Sequence, residues 1–210
     1  ALCLTALSFK LWTLNSFALF ARNLIFSAIL FSSVSCFGQG QANWWYFGYN
    51  AGLHFNPAAA AVTGGQIGFP HEEGVSSISD AAGNLLFYTD GIKVWNRNHI
   101  QMPNGFGLMG HISSSQSATN VQQPGSNNIY YLFTADAASQ PNGFRYSEID
   151  MTLAAGFGDV TNTKNILVYT QTTERVCAIR HCNNKDIWVV THHWGSNEFR
   201  AYLITATGVN

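Results

Sequence analysis

The sequence predicts an all-β protein, a β-propeller-like array of small antiparallel sheets, and three observations predict it. The stretch Val75 to Asn96, VSSISDAAGNLLFYTDGIKVWN, alternates, turns, runs apolar, turns and alternates again, the pattern of a three-stranded antiparallel meander. Two later stretches repeat its plan: Phe87-Tyr88-Thr89 aligns with Leu132-Phe133-Thr134 and Val189-Val190-Thr191, at spacings of 45 and 57 residues. The composition agrees. It is 14% aromatic and only 10% charged, with 19 glycines, which suits short strands joined by tight turns; ordinary domains carry about 25% charged residues.

Repeated units of about 40–50 residues, each a small antiparallel sheet, are the signature of a propeller. One such sheet cannot bury both faces alone, so neighbours must stack. An all-β sandwich also places a strand every 8–12 residues or so, but it does not require the repeat.

Residues 1–38 read as a leader. Arg22 and Asn23 precede the 11-residue run LIFSAILFSSV and then SCFGQGQA. A basic residue, an apolar helical run and small residues are the parts of a secretory signal peptide, here about 22–38, with cleavage after Gly38. A membrane anchor over 11–37 is the alternative, and Arg22 in mid-span argues against it. Acylation at Cys36 is weaker still, because Ser33 stands where a large aliphatic residue is usual. The first methionine is Met102, so the N-terminus reads as a fragment or an over-extended frame, and residues 1–21 take no role.

The remainder, 39–210, reads as a partial propeller of about three to four blades, with units at about 44–96, 116–151 and 166–205. In the first unit, two aromatic strands (about 44–48 and 52–56) flank Tyr49-Asn50-Ala51, and 57–70 reads as a loop. Trp44, Trp45, Tyr46 and Phe47 in series predict burial on both faces, with a sugar-stacking platform as the alternative. Asp80-Ala81-Ala82-Gly83-Asn84 turns, Leu85–Thr89 is an apolar strand, and Asp90-Gly91 is a two-residue type I′ hairpin signal. After a Gly-rich connection, Ser117–Gln122, the turn 124–128, the strand 129–136 and the alternating 144–150 form the second unit. Ile166–Tyr169 reads as an extra strand. The third unit is 175–181, the turn Cys182–Lys185, 186–193 and 198–205. Because the chain stops where a turn should lead to another strand, it is expected to continue beyond Asn210.

Chemistry is less legible. The net charge of −1 and singly scattered basic residues give no reason to expect nucleic acid or an acidic membrane as partner. Cys177 and Cys182, five apart on one strand and its turn, point to opposite faces, and no disulfide is implied. Glu148 and Asp150 are two apart on one strand and share a face, so they could form the carboxylate pair that a glycosidase needs. Beside Arg145 the pair also reads as a solvated strand face. Asp80-Ala-Ala-Gly83 resembles the Asp-box turn of sialidase-like propellers, but it has one residue too many and reads as a turn only. His181, His192 and His193, with the two cysteines near, form the one cluster with metal-ligand residue types. Adjacent His192 and His193 point to opposite faces, whereas zinc needs three or four converging ligands. No catalytic, cofactor-binding or metal-binding residue is assigned, and no cofactor is expected.

Several segments together carry a family resemblance: WWYFGYNAGLHFN, ISDAAGNLLFYTDGIKVWNRNH, MPNGFGLMG, SSSQSAT, NIYYLFTAD, FRYSEIDM, GFGDV and WVVTHHWGSNEFRAYLIT. In this order, over about 42–210, they resemble the N-terminal propeller region of large secreted surface proteins of Bacteroidetes-type bacteria. Those are cargo of the type IX secretion system, often with PKD-like repeats and a gliding-motility-type sorting domain. The resemblance implies Sec export and display or release at the cell surface, and it supplies no catalytic residues. The sorting domain of that family is missing from these 210 residues. The expected function is a non-enzymatic binding or display module that meets a glycan or protein ligand and has no membrane span in the mature chain. A propeller-type polysaccharide hydrolase or lyase, or a spacer, is the alternative.

Overall fold

The computed structural model describes residues 40–55, 59–71 and 73–210, which fall within one compact unit, 39–210. The expected leader 1–38, with the expected signal peptide and cleavage after Gly38 and with Arg22 and Cys36, lies outside the described residues. The described chain is mostly strand, arranged as four small antiparallel sheets, and no closed barrel forms among them. No described helix is long and apolar enough to cross a membrane.

The first sheet joins β1 (Trp44–Tyr46), β2 (Ala51–Phe55) and β3 (Ala60–Gly64). The second joins β4 (Ser76–Ser79), β5 (Leu85–Thr89) and β6 (Val94–Asn96), the meander expected from its sequence. The third runs β7 (Ala118–Gln122), β8 (Ile129–Ala135) and β9 (Phe144–Asp150), and its outer edge is shared by β10 (Asp159–Val160) and β11 (Ile166–Tyr169). The fourth runs β12 (Thr172–Arg180), β13 (Ile187–His193), β14 (Phe199–Thr205) and β15 (Gly208–Val209). Within every sheet successive strands are neighbours, except that β11 pairs with β9 rather than with β10. The first strands are also neighbours of one another: β4 lies beside β1 and β7, and β7 beside β12.

Alternation along the strands explains the burial. In β8, Tyr130 and Leu132 enter a core with Phe87, Val94 and Met102 from the second sheet and its outgoing loop. Tyr131, Phe133 and Ala135 point the other way, into a core with Val176, Val189 and Ile204 of the fourth sheet. A strand buried on both faces must read as a continuous apolar run, and IYYLFTA does. In β5, Phe87 faces the third sheet while Leu85 and Tyr88 face Tyr46 of the first. Leu86, opposite no residue between the Ile78–Phe87 and Ser79–Leu85 pairs, is a bulge that brings two successive side chains to one face. Side-chain bonds tie the first strands together. Ser77 Oγ donates to Trp44 O, Asn120 Nδ2 donates to Ser76 Oγ at 3.0 Å, and the Val176 N–H donates to Gln116 Oε1 at 2.9 Å.

The structure changes several local expectations. The stretch 44–96, expected as one unit, carries two sheets, because Ala60–Gly64 in the expected loop pairs with β2. The aromatic series is buried on one face only: Tyr46 is in the core and stacks on Tyr88 at 4.0 Å, whereas Trp45 and Phe47 are exposed. Burial pushes the Tyr46 phenol up to about 12 and raises that of Tyr88 as well, so both stay neutral inside the core. The Asp90-Gly91 hairpin is not a two-residue type I′ turn. Thr89 pairs with Val94 across a four-residue loop, and of the two residues only Gly91 has positive φ, at 82°. Asp90 Oδ1 draws the loop closed by accepting from the N–H groups of Ile92 at 2.8 Å and Lys93 at 2.6 Å.

The three aligned threonines occupy matching places, each fully or almost fully buried at the end of a second strand and paired with the first strand. Their hydroxyls differ in satisfaction. Thr89 Oγ1 donates to Lys93 O at 2.6 Å, and Thr191 Oγ1 donates to Arg175 O at 2.9 Å. The hydroxyl of Thr134 has no partner. Removing an orphaned buried polar atom relieves its desolvation penalty, so Thr134→Val is expected to raise stability by about 1 kcal/mol. Thr191→Val is expected to lower it by about 1–3 kcal/mol, because the Arg175 carbonyl loses its donor. Urea denaturation midpoints of the two variants check this opposite pair of signs.

Candidate functional site

The antiparallel register gathers one kind of loop at one end. Thr89, Thr134 and Thr191 close the second strands opposite Ser76, Ala118 and Val176 of the first strands. The hairpins that follow them (90–93, 136–143 and 194–198) therefore meet the connections that lead into β4, β7 and β12. Hydrogen bonds sew these loops together. Ser117 Oγ donates to Asp90 O at 3.0 Å, the Gly74 N–H to Ser114 O at 2.9 Å, and the Trp194 N–H to Gln171 O at 2.8 Å.

Glu174 is the charged member of this seam. Its Oε2 accepts from the N–H and hydroxyl of Ser115, both at 2.9 Å, and its Oε1 accepts from the Ala138 N–H at 3.0 Å. Burial pulls its pKa upward, but the bonds from Ser115 and Ala138, with the charge of Arg175, outweigh it and hold the carboxyl below the ordinary glutamate value. A lowered folded pKa contributes stability that is complete above the unfolded value, about 4.3, and that disappears as pH falls through the folded one. Glu174→Gln is therefore expected to be less stable than the wild type at pH 7, with the gap closing below about pH 4. Denaturant midpoints taken from pH 7 down to pH 3 measure that convergence.

At this end lies a cavity of 190 Å³ lined by the loop after β3 (Gln66, Gly68, Phe69, Pro70 and His71), the 90–93 hairpin (Asp90, Ile92 and Lys93), Trp95 and Ile112. His71 is only 2% exposed. Its Nε2 sits 2.9 Å from Gly74 O; a carbonyl only accepts, so Nε2 carries a proton, and in the neutral form of the ring Nδ1 is an acceptor. That Nδ1 is buried and has no hydrogen-bond partner. Asp90 is also buried, and its Oδ1 is occupied by the two hairpin N–H groups. At the rim, Phe69 is 76% exposed and Tyr49 61% exposed, their rings 6.1 Å apart and tilted by 48°. The site thus combines an orphaned acceptor, a carboxylate, a lysine and exposed aromatic faces. None of this was legible in the sequence, where Asp90 read as turn chemistry and Phe69 and His71 fell in or beside an expected loop. The signal available was Phe69 itself, a large aromatic in an otherwise small, Gly-rich stretch.

The expected candidates are placed elsewhere. Glu148 Oε1 accepts from Thr161 Oγ1 at 3.1 Å, and Asp150 Oδ1 accepts from the Thr152 N–H and hydroxyl at 2.8 and 2.7 Å. Each is engaged with a threonine on the outer side of the third sheet. Arg145 turns away from both, donating to Asn142 O and Asn165 O. His181 lies beside the turn that joins β12 to β13, its ring 5.6 Å from that of Trp188, while His193 pairs with Thr172 at the far end of β13. At about 3.4 Å per residue, six residues of strand put some 20 Å between them. His193 Nδ1 meets the Tyr169 hydroxyl, and His192 packs edge-on against Phe199 at 4.9 Å. His181 Nδ1 lies 3.7 Å from Cys182 Sγ, and His192 and Cys177 line a shallow 120 Å³ depression with Phe199 and Arg175. Among the described residues no three His, Cys, Asp or Glu side chains group as metal ligands, and Cys177 and Cys182 are free. Asp80 caps its own turn through Ala82, Asn84 and the Asn84 side chain.

No family model, curated protein or solved structure matches the chain.

Proposed function

We propose that this chain is a non-enzymatic binding or display module, built as part of a β-propeller and carried to the outside of a bacterial cell. The observation that carries the reading is the order of the cores: each of the three apolar clusters joins side chains of sheets adjacent in sequence. Blades around an axis stack in that way, and their first strands line the inner side. The outward faces of the first and fourth sheets, where Val62 is 87% exposed and Phe199 is exposed too, are the faces that a closed ring would cover. The gathered loops and the cavity beneath Phe69 supply a recognition surface, while Glu148 and Asp150 are each bonded to a threonine. Sec export and type IX delivery follow from the family resemblance and are part of the same proposal.

The test is to probe glycan and protein arrays with the full-length chain while screening it against polysaccharide substrates for released reducing ends. Saturable binding without turnover is the expected result. Turnover, or an array with no binding at all, would contradict the reading.

A further inference from the structure

We propose that the cavity between Phe69–His71 and Asp90–Lys93 is a binding site for one neutral saccharide residue, its ring face laid on Phe69 and its hydroxyls bonded to His71 Nδ1 and the free oxygen of Asp90. The inference rests on the binding-module reading and gives it a place and a ligand class.

Size comes first. A volume of 190 Å³ is below the roughly 300 Å³ at which pockets enclose a drug-sized molecule, so the cavity takes one ring-sized group. The polar wall comes second. A buried acceptor without a donor keeps its desolvation penalty uncompensated, and His71 Nδ1 is in that state while its other nitrogen is held by Gly74. A group that reaches this nitrogen from the cavity would have to donate. Asp90 makes the same demand: with Oδ1 taken by Ile92 and Lys93, Oδ2 is the oxygen left to an incoming donor.

Charge narrows the class. An ammonium would satisfy both acceptors but would enter beside Lys93, and a carboxylate suited to Lys93 would face Asp90. A hydroxyl donates to the histidine and the carboxylate and can still accept from the lysine, so a neutral polyol meets all three without a buried unpaired charge. The aromatic rim then separates a cyclic sugar from a linear polyol. Phe69, 76% exposed, lines the cavity, and the Tyr49 ring lies 6.1 Å from it. The C–H face of a pyranose gives such a ring an apolar surface to cover, while its equatorial hydroxyls reach the polar wall.

The experiment titrates the full chain with the methyl glycosides of glucose, galactose, mannose, xylose and N-acetylglucosamine, followed by saturation-transfer NMR. Methylammonium and acetate serve as charged probes and sorbitol as the open-chain one. Two variants localise the effect. Phe69→Ala removes an exposed ring, and Asp90→Asn keeps an oxygen to cap the hairpin while removing the charge. At least one glycoside is expected to saturate in the millimolar range, with its dissociation constant raised about tenfold or more in each variant. The proposal is overturned if no glycoside saturates by roughly 100 mM, if both variants bind as the wild type does, or if a charged probe or sorbitol binds better than every glycoside. Array binding to a protein with no glycoside bound would remove the saccharide site and leave the module reading intact. A glycoside that binds and is then cleaved would do the reverse.

Discussion

Phe133→Ala is expected to destabilise the chain by about 3–5 kcal/mol, the range for emptying a well-packed aromatic site. Phe133 is fully buried among Val121, Ala135, Phe144, Val176 and Val189, and its ring stacks on Phe144 at 5.5 Å. These neighbours come from two sheets, so the vacated volume cannot be refilled by one strand moving. Each sheet would have to shift against the other. Ile100→Ala, at an exposed position, is expected to stay within about 0.5 kcal/mol of the wild type. Thermal and urea unfolding of both variants measure the difference. A cost at Phe133 no larger than that at Ile100 would mean that the third and fourth sheets do not share a core.

The second large effect is expected at Gly91, where Gly91→Ala should cost about 3 kcal/mol or more. Two penalties coincide there. The backbone has φ of 82°, which costs an L-residue about 1–2 kcal/mol. An added Cβ would also stand 2.2 Å from Ser117 Oγ and 2.8 Å from Ser117 O, and overpacking of that kind costs a further 1–3 kcal/mol or so. Gly107 separates the two. Its φ is 62° with nothing within 4 Å of an added Cβ, so Gly107→Ala should show the conformational cost alone. Because Ser117 donates to Asp90 O, crowding at Gly91 also disturbs the hairpin that carries Asp90. The Gly91 variant is therefore expected to lose the cavity's binding before it loses its strands, a loss visible in the glycoside titration.

The strands that were legible in the sequence are those whose side-chain pattern is imposed by burial. β9 spans Phe144–Asp150, as its alternation indicates, because Ser147 and Ile149 are buried on one face while Phe144 and Tyr146 pack on the other. β8 and β5 were legible as apolar runs because they sit between two cores. β3 was not: AAVTG is exposed along most of its length, so its pairing with β2 leaves no apolar signature. β10 and β15 are two residues each, held at sheet edges by backbone bonds that any side chain permits. The Asp90-Gly91 signal located the hairpin but not its length, which is decided by the Asp90 carboxylate reaching two N–H groups. Candidate sites were legible as residue types without their separation. Only the register places His181 and His193 at opposite ends of β13, and only the loop contacts bring His71 to Asp90.

The measurement that bears most directly on the stacked arrangement is a set of inter-ring nuclear Overhauser effects. Three ring pairs span the three sheet-to-sheet cores: Tyr46–Tyr88 at 4.0 Å, Phe87–Tyr130 at 5.5 Å and Phe144–Tyr202 at 5.9 Å between centroids. All three cross-peaks should be present, and the rings of the third sheet should be shielded on both faces from a soluble paramagnetic agent. A two-layer sandwich gives the third sheet one partner only. Cross-peaks on one side alone, with the other side's rings broadened by the agent, would contradict the stacked array and the recognition surface built on it.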